Sequence, residues 1–181
     1  SQNIASLGQL AVSAQQNAYE IKDPTSEGIV SRLMDQIEKG APPSFPSGLT
    51  FLDNALASRG IKPGQVWFVV GNYGSFKSRI AVHMADTAIG VGKSVSYFGL
   101  EDGEQTYSVA LMAAHFGIPE RNFERHFGGE KTSSDEMIGK AIHWLVNDVG
   151  NQWRVYDRHW GVGNWKRFMP AVQADKLKYG T

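Results

Sequence analysis

Gly71, Lys77 and Ser78 have the types and the spacing of a loop that binds phosphates. Such a loop needs a glycine at its first tight turn, backbone N–H groups around the phosphates, and a lysine followed by serine or threonine. Lys77 would contact the β- and γ-phosphates, and the Ser78 hydroxyl would bind Mg²⁺. The backbone donors would come from Asn72, Tyr73, Gly74, Ser75 and Phe76. The pattern predicts a site for ATP or another nucleoside triphosphate.

Phe76 departs from this pattern, because the position before the lysine is expected to be glycine. A Cβ atom and a ring at that position restrict how closely the backbone can approach the phosphates. Gly74, two residues earlier, offers some of the missing freedom. We therefore interpret the segment as a variant P-loop. The alternative is a strand-to-helix turn that merely contains glycine and lysine.

Glu101 follows a short apolar stretch, residues 94–100, which we predict to be a strand. Ligands of open parallel sheets lie beyond the carboxyl ends of the strands, and residues 71–78 follow another predicted strand, residues 66–70. Glu101 would therefore face the γ-phosphate, where a carboxylate can orient or deprotonate the attacking water. The alternative is a solvated acidic residue that helps to begin the next helix.

Strands and helices alternate along the rest of the sequence. Buried strands are predicted over residues 66–70, 94–100 and 153–157, and helices over residues 77–89, 105–116, 133–149 and 164–179. Ser133 and Glu136 are predicted to form the capping box that begins the third helix. Residues 121–131, with Phe123 and Phe127 among basic residues, are predicted to form a solvated loop. The order predicts an α/β fold with a mainly parallel sheet.

The first 44 residues differ from those that follow. Residues 1–21 are small and polar, and they suit a short helix, a linker or an arm. Residues 26–39 have Ile29, Leu33 and Ile37 at helical spacing, and Gly40 provides a stop. Residues 41–47 include three prolines and indicate a connector. We expect an N-terminal arm and linker helix over residues 1–44 and a core domain over residues 45–181.

Composition excludes several kinds of protein. The length of 181 residues suits one domain with a sizeable core, and equal numbers of basic and acidic residues, 18 each, give no overall field that recruits nucleic acid. The chain has no cysteine, and its five histidines show no metal-ligand spacing with carboxylates. Because no apolar run is long enough to cross a bilayer, we expect no membrane partners. The lack of cysteine and of a signal-peptide pattern is compatible with the cytoplasmic location that we expect.

Aromatic and basic residues alternate near the end of the sequence. Trp153, Tyr156, Trp160 and Trp165 are interleaved with Arg154, Arg158, Lys166 and Arg167. Such residues could stack on bases and bind phosphates. Core packing is the favoured interpretation, because the first two aromatic residues lie in a predicted strand and the last lies in an apolar helix stripe.

Four segments together carry a family resemblance. They are residues 45–53 (FPSGLTFLD), residues 61–64 (IKPG), the loop over residues 71–78, and residues 96–101 (SYFGLE). In this order and with these gaps, the chain resembles the RecA-like motor of the DnaB-family replicative helicases. Within that family it is more similar to the helicase half of phage primase-helicases and to mitochondrial Twinkle. The similarity extends over residues 45–118 and, more faintly, over residues 153–180.

The resemblance implies a RecA-like P-loop NTPase core in an ATP-driven, ring-forming translocase on single-stranded DNA. It gives Lys77 the phosphate role, Ser78 the magnesium role and Glu101 the catalytic role. It also implies a homo-oligomer, expected to be a hexameric ring, with a primase or other replisome proteins as candidate partners. A phage-encoded protein acting in the host cytoplasm fits this resemblance.

The family's Walker B strand is missing from the sequence as far as Thr181. We therefore expect a fragment whose sheet is incomplete at its C-terminal end and which has little ATPase activity of its own. Two other functions stay open. One is a RecA-like ATPase of the RepA, RadA or KaiC type. The other is a nucleotide-binding assembly module that does not hydrolyse nucleotide, because Phe76 has spoiled the loop.

Overall fold

The computed structural model describes residues 24–40, 43–160 and 164–179. The chain divides into two compact units, Ser1–Pro43 and Ser44–Thr181. The predicted N-terminal arm, residues 1–21, lies outside the described residues, and so do two residues of the proline-rich connector.

The N-terminal unit contains one described helix, α1 (Ser26–Lys39), which confirms the helix predicted there. The Thr25 hydroxyl accepts a hydrogen bond from the Gly28 N–H at 3.2 Å and so caps the first turn. Gly40 ends the helix with a φ of 78°. The apolar stripe of α1 is exposed to solvent and consists of Ile29, Val30, Leu33, Met34 and Ile37.

The larger unit alternates helices and strands. Its α-helices are α2 (Thr50–Ala55), α3 (Lys77–Gly90), α4 (Glu104–Phe116), α5 (Glu120–Phe127), α6 (Asp135–Trp144) and α7 (Trp165–Tyr179), and its strands are β1 (Val95–Phe98) and β2 (Trp153–Tyr156). A π-helical turn, Leu145–Val149, extends α6, and 3₁₀ turns span Gly150–Gln152 and Arg158–Trp160. The helices predicted over residues 77–89, 105–116 and 164–179 and the strands predicted over residues 94–100 and 153–157 are confirmed, with small shifts at their ends.

The two strands form a parallel pair. Val95 lies opposite Trp153, and Phe98 lies opposite Tyr156. Helices α4, α5 and α6 connect the strands, as expected for a parallel pair, which needs a long crossover. The described chain is therefore a mixed α/β fold with a small parallel sheet.

Residues 66–70 do not form the predicted buried strand. Val66, Phe68 and Val70 are 77%, 86% and 90% exposed. An apolar run becomes a buried strand only where neighbours pair its N–H and C=O groups and cover its side chains. In the described part of the chain no strand pairs with this segment, so the segment that leads into the phosphate loop is irregular.

Two apolar clusters hold the larger unit together. The first lies among α3, α4 and β2 and consists of Val82, Ala85, Ile89, Tyr107, Ala110, Leu111, Val149 and Trp153. The second lies among α4, α5 and α6 and consists of Met112, Ile118, Phe123, Ile138 and Ala141. The prediction of a loop around Phe123 was wrong: α5 begins after Pro119, and the Phe123 side chain is fully buried. A single buried ring is enough to make this mostly polar segment an amphipathic helix.

The capping box predicted for α6 does not form: the helix begins at Asp135, and the side chain of Ser134, its N-cap residue, makes no capping hydrogen bond. The Asp135 carboxylate accepts hydrogen bonds from the Thr132 N–H at 3.1 Å and from the Thr132 hydroxyl at 2.7 Å. The Thr132 hydroxyl oxygen in turn accepts the Ser134 N–H at 3.2 Å. Ser133 and Glu136, the predicted pair, do not cap the helix, and Glu136 instead contacts Lys140 on the helix surface. The hydrogen bonds between Thr132 and Asp135 therefore order the turn that precedes the helix.

A buried polar network holds α7 against the sheet. Arg154 Nε lies 2.7 Å from Asp175 Oδ1, and the Tyr156 hydroxyl donates to the same oxygen at 2.6 Å. Ser96, on β1, also donates to Asp175 and accepts from Arg154 Nη2 at 2.9 Å. Burial by itself would raise the pKa of Asp175, but hydrogen bonds from Arg154, Ser96 and Tyr156 hold that pKa well below its usual range.

Residues 45–61, at the start of the larger unit, contact α3. Phe45 and Ile61 form an antiparallel bridge, and the Asp53 carboxylate accepts the Ser47 N–H at 2.9 Å. His83 Nε2, on α3, lies 3.0 Å from the Gly48 carbonyl oxygen. Gly48 has a φ of 82°, and a Cβ atom there would lie 2.2 Å from Thr87 Oγ1. Glycine is therefore needed for this close approach.

Candidate functional site

The phosphate loop is built on a tight turn over residues 72–75. The Ser75 N–H and hydroxyl both donate to the Asn72 carbonyl oxygen, at 3.2 and 2.6 Å. Gly74 has a φ of 75°, which suits the third position of a type II turn. At Gly71 an added Cβ atom would lie 2.5 Å from Ser75 Oγ. The first glycine of the motif therefore makes room for the fold of the loop itself.

Phe76 adopts the backbone conformation that a glycine would adopt. Its φ and ψ are 59° and 22°, in the left-handed region, and it directly precedes α3. A non-glycine residue there is strained by about 1–2 kcal/mol. The phenyl ring is 75% exposed and does not fill the turn. The Cβ atom of Phe76 therefore does not prevent the glycine-like turn, but the backbone is strained there.

Lys77 reaches back over the loop from the first residue of α3. Its ammonium group donates to the Gly71 and Asn72 carbonyl oxygens, at 2.9 and 2.8 Å. The side chain therefore lies over the inside of the loop, where an anion would replace the two carbonyl contacts. Ser78 follows in the first turn of α3, where the free N–H groups and the helix dipole favour negative charge.

The carboxyl end of β1 forms the opposite wall of the site. A cavity of about 580 Å³ lies between residues 73–79 of the loop and residues 97–102 of the wall. Lys77, Ser78 and Glu101 all line this cavity. Glu101 is exposed, and in the described part of the chain it has neither a hydrogen-bond partner nor an ion-pair partner. The structure therefore brings together the residues for which the sequence predicted catalytic and binding roles.

Two tyrosines that the sequence analysis did not select also line the cavity. The ring centroids of Tyr97 and Tyr107 are 4.5 Å apart, and the Tyr107 hydroxyl accepts the Asp102 N–H at 3.3 Å. Burial raises the pKa of Tyr97 to about 12, a nearby Tyr107 adds to the rise, and a hydrogen bond from Ser78 opposes it. The Tyr97 phenol therefore stays protonated and lies beside the predicted magnesium ligand.

Gly99 and Arg79 fix the two walls. A Cβ atom at Gly99 would lie 2.1 Å from Tyr107 Cε2, so the ring packs directly on the backbone after β1. Arg79, next to Ser78, forms an ion pair with Glu120 on α5 and lines the cavity as well. Tyr97 and Gly99 alternate along the strand, and this pattern could have indicated that a ring packs on Gly99. Nothing in the sequence pairs Arg79 with Glu120.

A magnesium site made of protein side chains alone is not present in the described residues, which contain no group of three or more histidine, aspartate or glutamate side chains able to hold a metal. Mg²⁺ in phosphoryl-transfer sites takes many of its ligands from phosphates and water. A single hydroxyl, that of Ser78, fits this chemistry. His115 and His126 instead contact Asp86 and Asp135 at 2.8 and 3.0 Å.

A second cavity of about 580 Å³ lies between α4 and α5. Its lining includes the apolar residues Val109, Met112 and Phe127 and the carboxylates of Glu120 and Glu124. Two carboxylates disfavour a phosphate ligand. The cavity beside the phosphate loop is therefore the better candidate for nucleotide chemistry.

Comparison with known proteins adds no relative: no family model, no curated protein and no solved structure matches the sequence. No helix among the described residues is both long and apolar enough to cross a bilayer. The candidate site therefore rests on its own geometry.

Proposed function

We propose that this chain is the ATP-binding and ATP-hydrolysing motor domain of a ring-shaped replicative DNA helicase. The observation that carries the proposal is the single cavity lined by Lys77, Ser78 and Glu101. These side chains offer a cation for phosphates, a hydroxyl for Mg²⁺ and a carboxylate for water. The parallel pairing of β1 with β2 supports a RecA-like arrangement, in which ligands lie beyond the carboxyl ends of the strands.

In the proposed reaction, Lys77 exchanges the Gly71 and Asn72 carbonyls for oxygens of the β- and γ-phosphates. The Glu101 carboxylate accepts a proton from water, whose oxygen forms a bond to the γ-phosphorus. The bond between that phosphorus and the bridging oxygen breaks, and ADP leaves with its charge stabilised by Lys77. When bound at Ser78, Mg²⁺ would neutralise charge on the phosphates. Positioning and electrostatics supply most of the catalysis in such a reaction.

Residues 66–70 favour a second candidate function. The unpaired, exposed segment before the loop and the strained Phe76 indicate a loop that is less firmly supported than the opposite wall. A nucleotide-binding assembly module without hydrolysis fits these two observations. An ATPase of the RepA, RadA or KaiC type would use the same site. The helicase proposal also includes single-stranded DNA as a partner, a hexameric ring, replisome partners and a cytoplasmic location.

Replacement of Lys77 tests the binding step. Lys77→Ala should weaken binding of a fluorescent ATP analogue with Mg²⁺ by at least about tenfold, because charge-assisted hydrogen bonds are worth roughly 1.5–3 kcal/mol. Lys93→Ala is the matched control, since Lys93 is exposed and lies outside the cavity. Equal affinities for the two variants would end the P-loop interpretation.

Replacement of Glu101 separates hydrolysis from binding. In a single-turnover assay with excess protein and labelled ATP, run on a longer chain that supplies the Walker B strand, Glu101→Gln should slow hydrolysis by about two orders of magnitude, the usual effect of losing a general base, with binding unchanged. Glu104→Gln is the control, because Glu104 lies three residues after Glu101, at the start of α4, and does not line the cavity. Nucleotide binding without measurable hydrolysis by that longer chain would favour the assembly module instead.

A further inference from the structure

The turn between β1 and α4 carries Glu101 and lies at the surface. Leu100, Glu101 and Asp102 are all exposed. Within the turn, the Asp102 N–H donates to the Tyr107 hydroxyl at 3.3 Å. A short exposed segment with little buried surface keeps its place only where its ends are fixed. The position of the Glu101 carboxylate therefore depends on what holds the two ends of the turn.

Two consecutive residues, Tyr156 and Asp157, hold these ends. Before the turn, the Gly99 N–H donates to the Tyr156 carbonyl oxygen at 2.9 Å, which continues the pairing of β1 with β2. After the turn, the Glu104 N–H donates to Asp157 Oδ2 at 3.3 Å. Tyr156 is the last residue of β2, and Asp157 follows it directly. The residues between Gly99 and Glu104 are therefore tied at both ends to the carboxyl end of β2.

Asp157 is a buried carboxylate whose two oxygens each accept a backbone N–H. It is 4% exposed, and its Oδ1 accepts the His159 N–H at 2.8 Å. A buried carboxylate is costly unless it is hydrogen-bonded, so both bonds hold it in place. The N-cap residue of α4 is Gly103, which has no side chain to cap the helix. Asp157, 53 positions after Glu104, therefore supplies an acceptor to the first turn of α4.

We propose that Asp157 is a positioning residue for Glu101: it anchors the first residue of α4 and so determines where the Glu101 carboxylate lies. Asp157 does not line the cavity itself and acts through the turn. Both of its oxygens are needed, because an asparagine offers a single acceptor oxygen for the two N–H groups. The inference rests on the proposed ATP hydrolysis for its catalytic meaning, whereas the anchoring of the turn can be measured without it.

Amide hydrogen exchange, measured by NMR on the 181-residue chain, tests the anchor. Asp157→Asn should speed the exchange of the Asp102 and Glu104 N–H groups by about tenfold, the effect of losing one hydrogen bond to a charged group. Asp148→Asn is the matched control and should change neither rate, because Asp148 is exposed and precedes β2. Equal rates in Asp157→Asn and in the unmodified chain would overturn the inference.

Single-turnover hydrolysis by the longer chain that supplies the Walker B strand tests the positioning. Asp157→Asn should slow hydrolysis by roughly ten- to a hundredfold with ATP binding unchanged, since a misplacement of about 1 Å can cost this much. The variant with both Asp157→Asn and Glu101→Gln should be no slower than Glu101→Gln alone, because the carboxylate that Asp157 positions is already absent. A destabilised fold would slow the double variant further, so effects that multiply would overturn the inference.

Glu104→Pro provides a second test should Asp157→Asn fail to fold. It removes the N–H that Asp157 binds, at the first residue of α4, where proline is well tolerated. Hydrolysis should again be slower, and Glu104→Gln, which keeps the N–H, is the control. Unchanged hydrolysis in Glu104→Pro would count against the anchor. If the unmodified longer chain binds ATP without hydrolysing it, the proposed motor fails, and faster exchange in Asp157→Asn would still establish that Asp157 holds the turn.

Discussion

β1 and residues 66–70 have similar compositions but different surroundings. Both are short runs of apolar and aromatic residues. β1 pairs with β2 and packs over the first core cluster, so all its side chains are partly buried. Residues 66–70 have no strand partner in the described regions, and they expose Val66, Phe68 and Val70. Strand propensity therefore decides little until a neighbouring strand is available.

The same difference divides the two walls of the candidate site. The wall that carries Glu101 continues a paired strand and is held by the contact of Gly99 with Tyr107. The wall that carries Lys77 follows the unpaired segment and depends on α3 and on hydrogen bonds within the loop. We expect the first wall to open less readily, because local stability follows buried contacts and paired backbone.

The largest effect should come from breaking the network that holds β2. Asp175→Ala leaves the Arg154 guanidinium buried without its partner and should lower the free energy of unfolding by about 3–5 kcal/mol. Urea denaturation measures the change. Replacing both residues with apolar ones of similar volume, Arg154→Met with Asp175→Leu, is the control and should recover much of the loss. A loss below about 1 kcal/mol in the single variant would show that the pair is solvated.

The pH dependence of stability follows from the same carboxylate. Because its folded pKa lies well below the unfolded value, Asp175 stabilises the fold above about pH 4, the unfolded pKa. That stabilisation should disappear as the pH falls towards the folded pKa. Acid titration of the unfolding free energy should therefore be flatter in Asp175→Ala below pH 4. Parallel titration curves would contradict the lowered pKa.

A matched pair of valines tests the comparison directly. Val95→Ala, in β1, should lower the free energy of unfolding by about 1–2 kcal/mol, since it removes partly buried methyl groups from the core. Val70→Ala, at a position that is almost fully exposed, should change it by less than about 0.5 kcal/mol. Thermal or urea unfolding measures both. A large loss at Val70 would mean that residues 66–70 are covered in solution.

The smallest effect concerns the strained residue of the loop. Phe76→Gly should raise the free energy of unfolding by up to about 1 kcal/mol, because glycine adopts a positive φ without a steric penalty. Phe76→Ala keeps the Cβ atom and should give no such gain. Urea unfolding of the two variants separates them. Equal stabilities would place the cost in the exposed ring rather than in the backbone.

Local signals predicted much of the fold. Thr25 and Gly40 mark the ends of α1, and Gly117 marks the end of α4, because caps act through backbone groups within a few residues. The predicted capping box of Ser133 and Glu136 was wrong: Asp135 bonds to Thr132 in the turn before α6, and Glu136 contacts Lys140. The helix around Phe123 was missed because its apolar face is a single ring, whose partners lie in α4 and α6.

The candidate site was predictable where it follows strand ends. Lys77 and Glu101 line one cavity, as the rule for parallel sheets leads one to expect. The ion pair of Arg79 with Glu120 joins residues that lie 41 positions apart, which no local pattern predicts. Trp160 is 63% exposed and does not have the core position that was favoured for it. The left-handed conformation of Phe76 was also unexpected, because single-residue preferences oppose it and only the surrounding loop selects it.

The attachment of α7 through Arg154 and Asp175 has a practical consequence for ionic strength. Mobile ions screen exposed charges strongly and buried pairs weakly, and these two side chains are 8% and 3% exposed. Added salt should therefore weaken exposed pairs such as Lys140 with Glu136, which are 67% and 85% exposed, and leave α7 docked. Salt titrations of stability would then report on the exposed ion pairs, with α7 still in place.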